Sequence, residues 1–350
     1  MLIDLRSLNL EELEKLMLEL QESKFRSKQI FSWVHAKGVS NFAEMTNVPG
    51  KLRDKLLEKT VLNELDLIKS QVSKDGTTKY LLKLADNNYI ECVLMKYQGT
   101  KARKRNTLCI SSQVGCAMGC GFCATGKGGF TRNLSVGEIL GQVYLVTKLE
   151  SIYEENFKIN NVVYMGMGEP LLNFTNVIKS IYLLNNSEGQ NIGMRRITVS
   201  TCGIVPKIIE LADLDLDLVL AISLHAATDT ERSKLMPVNN KYPLSDLKNA
   251  CKYYIEKTKR RITFEYALVN DVNDNAEDAK DLANYLKDLM CHINLIPVNP
   301  VNKIHTRPSR KKVTDFSNWL NKFGINASIR EEKGLDIDGA CGQLSGRMEE

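Results

Sequence analysis

The sequence is poor in several things at once. Its 350 residues include 2 Trp, 4 His and 8 Pro, and aromatic residues make up only 7%. No apolar stretch approaches the ~20 residues that a membrane-spanning helix needs; Leu218–Ser223 is among the longer ones. The amino-terminal MLIDLRSLNLEELEKLMLEL is amphipathic and acidic. It lacks the basic start, apolar core and small-residue cleavage site of a secretory signal. These absences point to a cytoplasmic protein without a membrane partner. Internal repeats and low-complexity tracts are also missing. Hydrophobic residues at 43% and charged residues at 25% are ordinary globular usage, which excludes a disordered chain, a collagen and a coiled-coil rod. The length suits two domains of ~150 residues, or one α/β barrel with an appendage.

Neither charge dominates: 47 Lys and Arg face 42 Asp and Glu, a net of +5. Distribution is more informative. Lys96–Arg105 carries five basic residues and no acid, and Met290–Thr314 carries five Lys or Arg and two His, again without an acid. Solvated loops are the ordinary reading of such runs. Two of them also suit a polyanion such as RNA.

Along the chain, residues 1–60 read as a small helical unit. Asn9-Leu10-Glu11-Glu12 fits a capping box, Arg26–Lys37 reads as a second helix ending at Gly38, and Pro49 can open a third. Residues 61–100 form a short β-extension. Leu62–Val72, Thr77–Leu84 and Tyr89–Tyr97 alternate like strands, with turns at Asp75-Gly76 and Asp86-Asn87-Asn88. From about 101 to 335 six strand–helix pairs alternate. Strands are expected near Asn106–Ser111, Asn161–Met167, Arg195–Thr201, Asp217–Leu224, Ile262–Val269 and Ile293–Val298. Six βα units imply a parallel sheet with right-handed crossovers. They fall short of the eight that close a full barrel. The fold class is therefore α/β: a partial (β/α)6 TIM-type barrel with a helical accessory unit, or, as the alternative, a doubly wound sheet. Residues 336–350 are too rich in Gly and small residues for a regular element and read as a mobile tail.

Nine cysteines, an odd number, in a chain of cytosolic character argue against a disulfide framework. Three of them crowd into Cys116-Ala-Met-Gly-Cys120-Gly-Phe-Cys123. Three thiolates in a C-x3-C-x2-C loop can each bind one iron of a 4Fe–4S cube and leave the fourth iron open. Zinc is the alternative, but a structural zinc takes four ligands, commonly from paired C-x2-C units, and no second pair follows. An open iron at a strand end of a βα barrel is the signature of radical S-adenosylmethionine (SAM) enzymes, in which the cluster and SAM supply a 5′-deoxyadenosyl radical.

Longer motifs narrow the reading. CISSQVGCAMGCGFCATGKGGFTRNL at 109–134, Met165–Pro170 (MGMGEP), Ile197–Thr201 (ITVST), Ser223-Leu224-His225 and Asp338–Leu344 (DGACGQL) resemble the RlmN/Cfr family of RNA adenosine methyltransferases. The resemblance runs in motif order from about Glu91 to Leu344, and the helical N-terminus fits that family's accessory RNA-binding domain. It implies Cys116, Cys120 and Cys123 as cluster ligands. It implies Gly168, Glu169, Ser200, Ser223, Leu224, His225 and Asn299 as SAM contacts. Taken singly, each of these could be an ordinary turn or loop residue.

The resemblance also makes Cys341 the residue that carries the methyl group. The adenine C2 atom is not a nucleophile, whereas a thiolate can take a methyl from SAM by displacement. Cys109 matches the second catalytic cysteine, which would release the product through a transient Cys109–Cys341 disulfide. Glu91 matches the proton acceptor; a solvent-facing strand Glu is its alternative. Cys92, Cys202, Cys251 and Cys291 fall outside the motifs and read as packing residues.

The implied substrates are C2 of adenosine 2503 in 23S rRNA and of adenosine 37 in tRNAs, with two equivalents of SAM consumed. The implied partners are 23S rRNA, tRNA and a flavodoxin-like electron donor, and the chain is expected to act as a monomer. Within the family the alternative is methylation at C8 of the same rRNA adenosine. Outside it stand a radical activase, a small-molecule radical enzyme and a zinc-stabilised RNA-binding module.

Overall fold

The computed structural model describes residues 2–97, 104–299 and 305–347. The N-terminal unit is clasped by a two-stranded parallel pairing of β1 (Ile3–Asp4) with β2 (Thr60–Val61), which brackets α1 (Leu10–Glu19), α2 (Phe25–Phe31) and α3 (Gly50–Lys59). Asn9 and Glu12 form the expected capping box: the Asn9 side chain accepts from the Glu12 N–H at 2.9 Å, and the Glu12 carboxylate accepts from the Asn9 N–H at 2.7 Å. The helix expected over 26–37 is interrupted, since a wider π turn occupies Ser32–Ala36.

The extension forms a meander of β3 (Asp66–Val72), β4 (Thr78–Lys83) and β5 (Tyr89–Tyr97). It does not stand alone. β5 pairs antiparallel with β6 (Arg105–Cys109), so the meander prolongs the main sheet.

After β6 the chain makes a small hairpin of β7 (Gln113–Gly115) and β8 (Phe130–Asn133), with the short α4 (Ala124–Lys127) between them. Then come α5 (Val136–Glu150), β9 (Asn161–Tyr164), α6 (Phe174–Asn185), β10 (Ile197–Thr201), α7 (Val205–Asp213) and β11 (Val219–Ser223). They are followed by α8 (Asp229–Leu235), α9 (Leu244–Thr258), β12 (Ile262–Leu268), α10 (Ala276–Leu286), β13 (Cys291–Pro297), α11 (Arg310–Lys322) and β14 (Ala327–Ile329).

The sheet order is β3-β4-β5-β6-β9-β10-β11-β12-β13-β14, and every pair from β6 to β14 is parallel. The order advances in one direction and never reverses. A doubly wound sheet needs a reversal point. Sequential right-handed crossovers instead put the helices on one side and curl the sheet into a partial barrel. β3 and β14 are its two edges, so it stays open. The six βα units are those expected, and β14 adds a seventh parallel strand. Its three residues are too few to carry a pattern.

The accessory unit is fastened to α5 and α6. Lys179 pairs with Glu12 at 2.6 Å, and the Ser7 hydroxyl accepts from the Gly137 N–H at 2.9 Å. His35 is fully buried between the unit and the barrel. Its Nε2 lies 2.9 Å from the Leu8 carbonyl and its Nδ1 lies 2.8 Å from the Tyr144 hydroxyl. A carbonyl only accepts, so Nε2 carries the proton and Nδ1 accepts from Tyr144. Burial, with Arg6 and Lys179 nearby, holds its pKa down to about 4.

This junction makes stability depend on pH. Below pH ~6.5 the unfolded His35 takes up a proton that the folded one refuses until pH ~4. Its stability contribution is complete above pH ~6.5 and is lost as pH falls towards 4. By pH 5 the loss from this one group is about 2 kcal/mol. Urea midpoints measured from pH 8 to pH 4.5 should fall accordingly, and His35→Gln should flatten that slope while lowering the whole curve.

Candidate active site

The residues at the carboxyl ends of the parallel strands converge on one cavity, into which the chain's tail also folds. It is lined by Cys109 from β6, Glu169 after β9, Ser200 from β10, Ser223 and His225 around the end of β11, Asn299 after β13 and Cys341 from the tail. Cys116, Cys120 and Cys123 line it from the loop between β7 and α4.

Main-chain bonds shape that loop. The Cys116 N–H donates to the Gly129 carbonyl at 2.7 Å, closing its base across the hairpin. The Gly121 N–H donates to the Leu235 carbonyl at 3.1 Å, tying its far side to α8. All three cysteines are half-buried. Burial and then Glu169 push Cys116 up to about 11, and burial with the two neighbouring thiols pushes Cys120 higher still. Three thiolates at such a site require a bound cation to ionise them. Cys116, Cys120 and Cys123 lie on one short loop and line one cavity. A closed structural zinc site takes four ligands, whereas three thiolates of a C-x3-C-x2-C loop can each serve one iron of a cube. This donor set fits a 4Fe–4S cluster.

Gly168 and Glu169, which line the same cavity, could hold the amino-acid part of SAM. Gly168 has φ +98°, and a Cβ there would lie 2.5 Å from the Gln113 Cβ. Only glycine allows both the turn and that approach. The turn delivers Glu169, 3% exposed, whose carboxylate accepts from the Leu171 N–H at 3.0 Å and the Cys202 N–H at 2.7 Å. Burial raises its pKa. An ammonium group beside it would restore its charged form.

His225 sits at φ +60° and its Nδ1 accepts from the Ala267 N–H at 2.9 Å. Nε2 therefore carries the proton. Burial holds its pKa down to about 3, so the ring is neutral, and its partner is the Phe122 ring edge at 4.8 Å from the cluster loop. Asn299 donates to the Cys341 carbonyl at 3.1 Å, while its buried Oδ1 has no hydrogen-bond partner among the described residues. An unpaired buried acceptor beside a cavity is a place for a ligand donor. Leu224 lies between Ser223 and His225 and is fully buried; its N–H donates to the Glu265 carbonyl and its carbonyl accepts from Arg232.

Cys109 and Cys341 come together here from opposite ends of the barrel sequence. Burial and Cys341 push Cys109 up to about 12, and Arg330 opposes that shift at both thiols. Arg330 follows β14 and donates to Glu265 at 3.1 Å; Glu265 in turn accepts from the Ser200 hydroxyl at 3.3 Å. Neither Arg330 nor Glu265 was legible as a site residue, because their meaning depends on barrel neighbours distant in sequence. Cys202 is another addition: it lines the cavity rather than merely packing. Cys92 and Cys251 are buried in the core as expected. All nine cysteines are free, so the Cys109–Cys341 disulfide is not present in this structure.

The tail, expected to be mobile, is seated through Arg347 in this structure. It contains a short 3-10 turn at Leu335–Ile337, and it is bonded to the cluster loop: the Ala124 N–H donates to the Gly342 carbonyl at 2.7 Å, and the Thr125 hydroxyl to the Leu344 carbonyl at 2.6 Å. The basic runs are less free than their composition suggests. Lys96 and Lys104 pair with Glu150 and Glu154, Arg105 stacks on Tyr97, Arg307 pairs with Glu332, and Lys312 with Asp271 and Asp274. Lys101, Arg103 and Lys303 lie outside the described residues.

The ligand assignment is tested by Cys120→Ala. Two thiolates cannot hold a cube, so anaerobically purified variant should lose most of its iron, sulfide and visible absorbance. Cys291→Ala, outside the cavity, should keep them. Full iron retention in Cys120→Ala would overturn the assignment.

Comparison with known proteins agrees with this geometry. Residues 3–62 match the family profile of the ribosomal RNA large subunit methyltransferase N-terminal domain, and residues 110–286 match that of the radical SAM superfamily. A probable dual-specificity RNA methyltransferase RlmN from Desulfitobacterium hafniense (strain Y51) is 49% identical over 348 residues, covering 99% of this chain and 97% of that protein. A protein of the same description from Clostridium perfringens (strain 13 / Type A) is 50% identical, covering 96% of this chain and 94% of the relative. The crystal structure of a radical SAM methyltransferase from Sphaerobacter thermophilus superposes with a TM-score of 0.93 at 41% identity, covering 99% of this chain and all of the other. Similarity of this extent leaves one assignment: the chain belongs to the RlmN family of radical SAM RNA methyltransferases.

Proposed function

We propose that this protein methylates C2 of adenosine 2503 in 23S rRNA and C2 of adenosine 37 in tRNAs, through a methyl group carried on Cys341. One observation carries the reading: Cys341 and Cys109, far apart in sequence, line the same cavity as Cys116, Cys120 and Cys123. The C8 alternative is not favoured, because the relatives at 49–50% identity are described as RlmN.

Cys116, Cys120 and Cys123 would hold the cluster. Gly168, Glu169, Ser200, Ser223, Leu224, His225 and Asn299 would hold SAM. When bound, these two groups supply the radical that activates the methyl carbon. The remaining chemistry belongs to the chain. Cys341 gives its thiolate to the methyl of SAM and releases S-adenosylhomocysteine. Arg330 favours that thiolate electrostatically. After carbon–carbon bond formation, Cys109 attacks the Cys341 sulfur, the product leaves, and the two cysteines are joined until a thiol reductant separates them. A second SAM and an electron from a flavodoxin-like donor complete the inputs. Glu91 is the family's assigned proton acceptor. The target base must be extruded from folded RNA to enter the cavity. Phosphate contacts from the basic runs, including Lys101 and Arg103, would supply RNA affinity.

The two cysteines predict different failures. Cys341→Ala should keep its iron but form neither methylated tail nor product. Cys109→Ala should accept the methyl, bond to adenine and stall as an RNA–protein crosslink that survives denaturation and maps to Cys341. Normal turnover by Cys109→Ala, or the crosslink in Cys341→Ala, would overturn these roles. Iron content is measured alongside.

A further inference from the structure

The tail is gripped on both sides of Cys341 by a buried ion pair in the extension. Lys79 on β4 and Glu91 on β5 pair at 3.2 Å, and their side chains are only 6% and 4% exposed. The other Glu91 oxygen, Oε2, accepts from the Ser345 N–H at 2.7 Å and the Gly346 N–H at 2.8 Å. Two successive N–H groups closing on one carboxylate make a nest. Lys79 also reaches the Asp338 carbonyl at 3.4 Å. The pair thus holds the chain three residues before Cys341 and four and five residues after it.

The register explains why the grip lies there. Lys79 is opposite Val93, Val93 is opposite Cys109, and Glu91 is opposite Leu81. Opposed residues and alternate residues share a face of a sheet. Lys79, Glu91, Val93 and Cys109 therefore stand on one face, and Val93 and Cys109 line the cavity. The tail docks on the face that presents the second cysteine. Gly346 has φ +62°, and a Cβ there would lie 2.6 Å from the Met167 side chain and 3.0 Å from the Tyr89 carbonyl, so the fit leaves no room for a side chain.

We infer that the Lys79–Glu91 pair is a clamp that seats the Cys341 tail in the cavity, and that Glu91 is a positioning residue in the docked state. Both of its oxygens are engaged there, one by Lys79 and one by the tail. Its carboxylate becomes available to a substrate proton only when Ser345 and Gly346 leave. Docking and proton acceptance are then successive uses of one group, ordered by tail movement. The role in methyl acceptance rests on the function proposed above; the clamp itself does not.

Glu91→Ala removes the acceptor, and Gly346→Val blocks the dock from the tail side without touching the buried pair. Both are compared with the parent holoenzyme. Hydrogen exchange at the Ser345 and Gly346 amides should accelerate at least about tenfold in each, the size expected for losing a hydrogen bond to a charged acceptor. Methylation of Cys341 by SAM without RNA, read as one added methyl on the tail peptide, should slow by a similar factor in each. A residue that only accepts the C2 proton would move neither readout. Unchanged exchange in Gly346→Val, or retained tail protection and Cys341 methylation in Glu91→Ala, would overturn the clamp. If the parent enzyme never methylates Cys341, the proposed function fails, and exchange alone still decides the clamp. Should Glu91→Ala fail to fold, Gly346→Val decides it.

Discussion

The geometry of the cavity depends on one buried cation. Arg232 on α8 is fully buried, and its hydrogen bonds go to uncharged acceptors. Its guanidinium donates to the carbonyls of Cys202 at 2.7 Å, Leu224 at 3.1 Å and Ser223 at 3.2 Å, and to the Asn239 side chain at 3.0 Å. Those carbonyls end β10 and β11, the strands whose loops carry the SAM-facing residues. The Cys202 N–H is the partner of Glu169, and Leu224 precedes His225. One side chain thus fixes the relation between two strand ends and two site residues. Arginine suits the task because its planar fork serves several acceptors and it keeps its charge when buried. Burial works against its charge, and Cys202, Tyr285 and Cys120 oppose that shift.

The other wall is organised by a carboxylate. Glu265 on β12 joins the Ser200 hydroxyl to Arg330, so the cofactor side and the thiol side share a partner. Arg330 in turn favours the ionised form of both Cys109 and Cys341. Burial alone pushes these thiols up, and a thiol does neither displacement nor exchange. The cavity therefore sets a local cation against the cost of burial, and burial still holds both thiols above their ordinary range.

The barrel was legible because its signals are local and repeated. Apolar strands, each followed by a helical stretch, predict the βα alternation from the chain alone. The three-cysteine loop was legible because spacing within eight residues dictates its geometry. What escaped the reading is long-range. β14 is too short to show a period, and the β7–β8 hairpin is read only once its loop is known to fold back. Arg232, Glu265 and Arg330 look like ordinary charged residues until the barrel brings their partners to them. The seat of the tail was not legible either. Gly-rich composition predicts freedom, but it also permits the positive φ at Gly342 and Gly346 that docking uses.

The balance of forces on that tail explains why docking and movement are compatible. Ordering a residue costs about 1–2 kcal/mol in backbone entropy, and a neutral hydrogen bond returns about 1 kcal/mol net. Bonds such as Ala124 to Gly342 and Thr125 to Leu344 therefore come close to cancelling the cost of holding the segment. Few apolar contacts add to them, those of the buried Ala340 and Leu344. The charged acceptor at Glu91 tips the sum towards docking, since hydrogen bonds to ionised groups are roughly twice as strong as neutral ones. A tail fastened mainly by one charged pair can be seated reproducibly and released as a unit. A tail packed by a hydrophobic core could be seated but not readily freed. For a cysteine that must meet first a small cofactor and then a folded RNA, the first arrangement is the workable one.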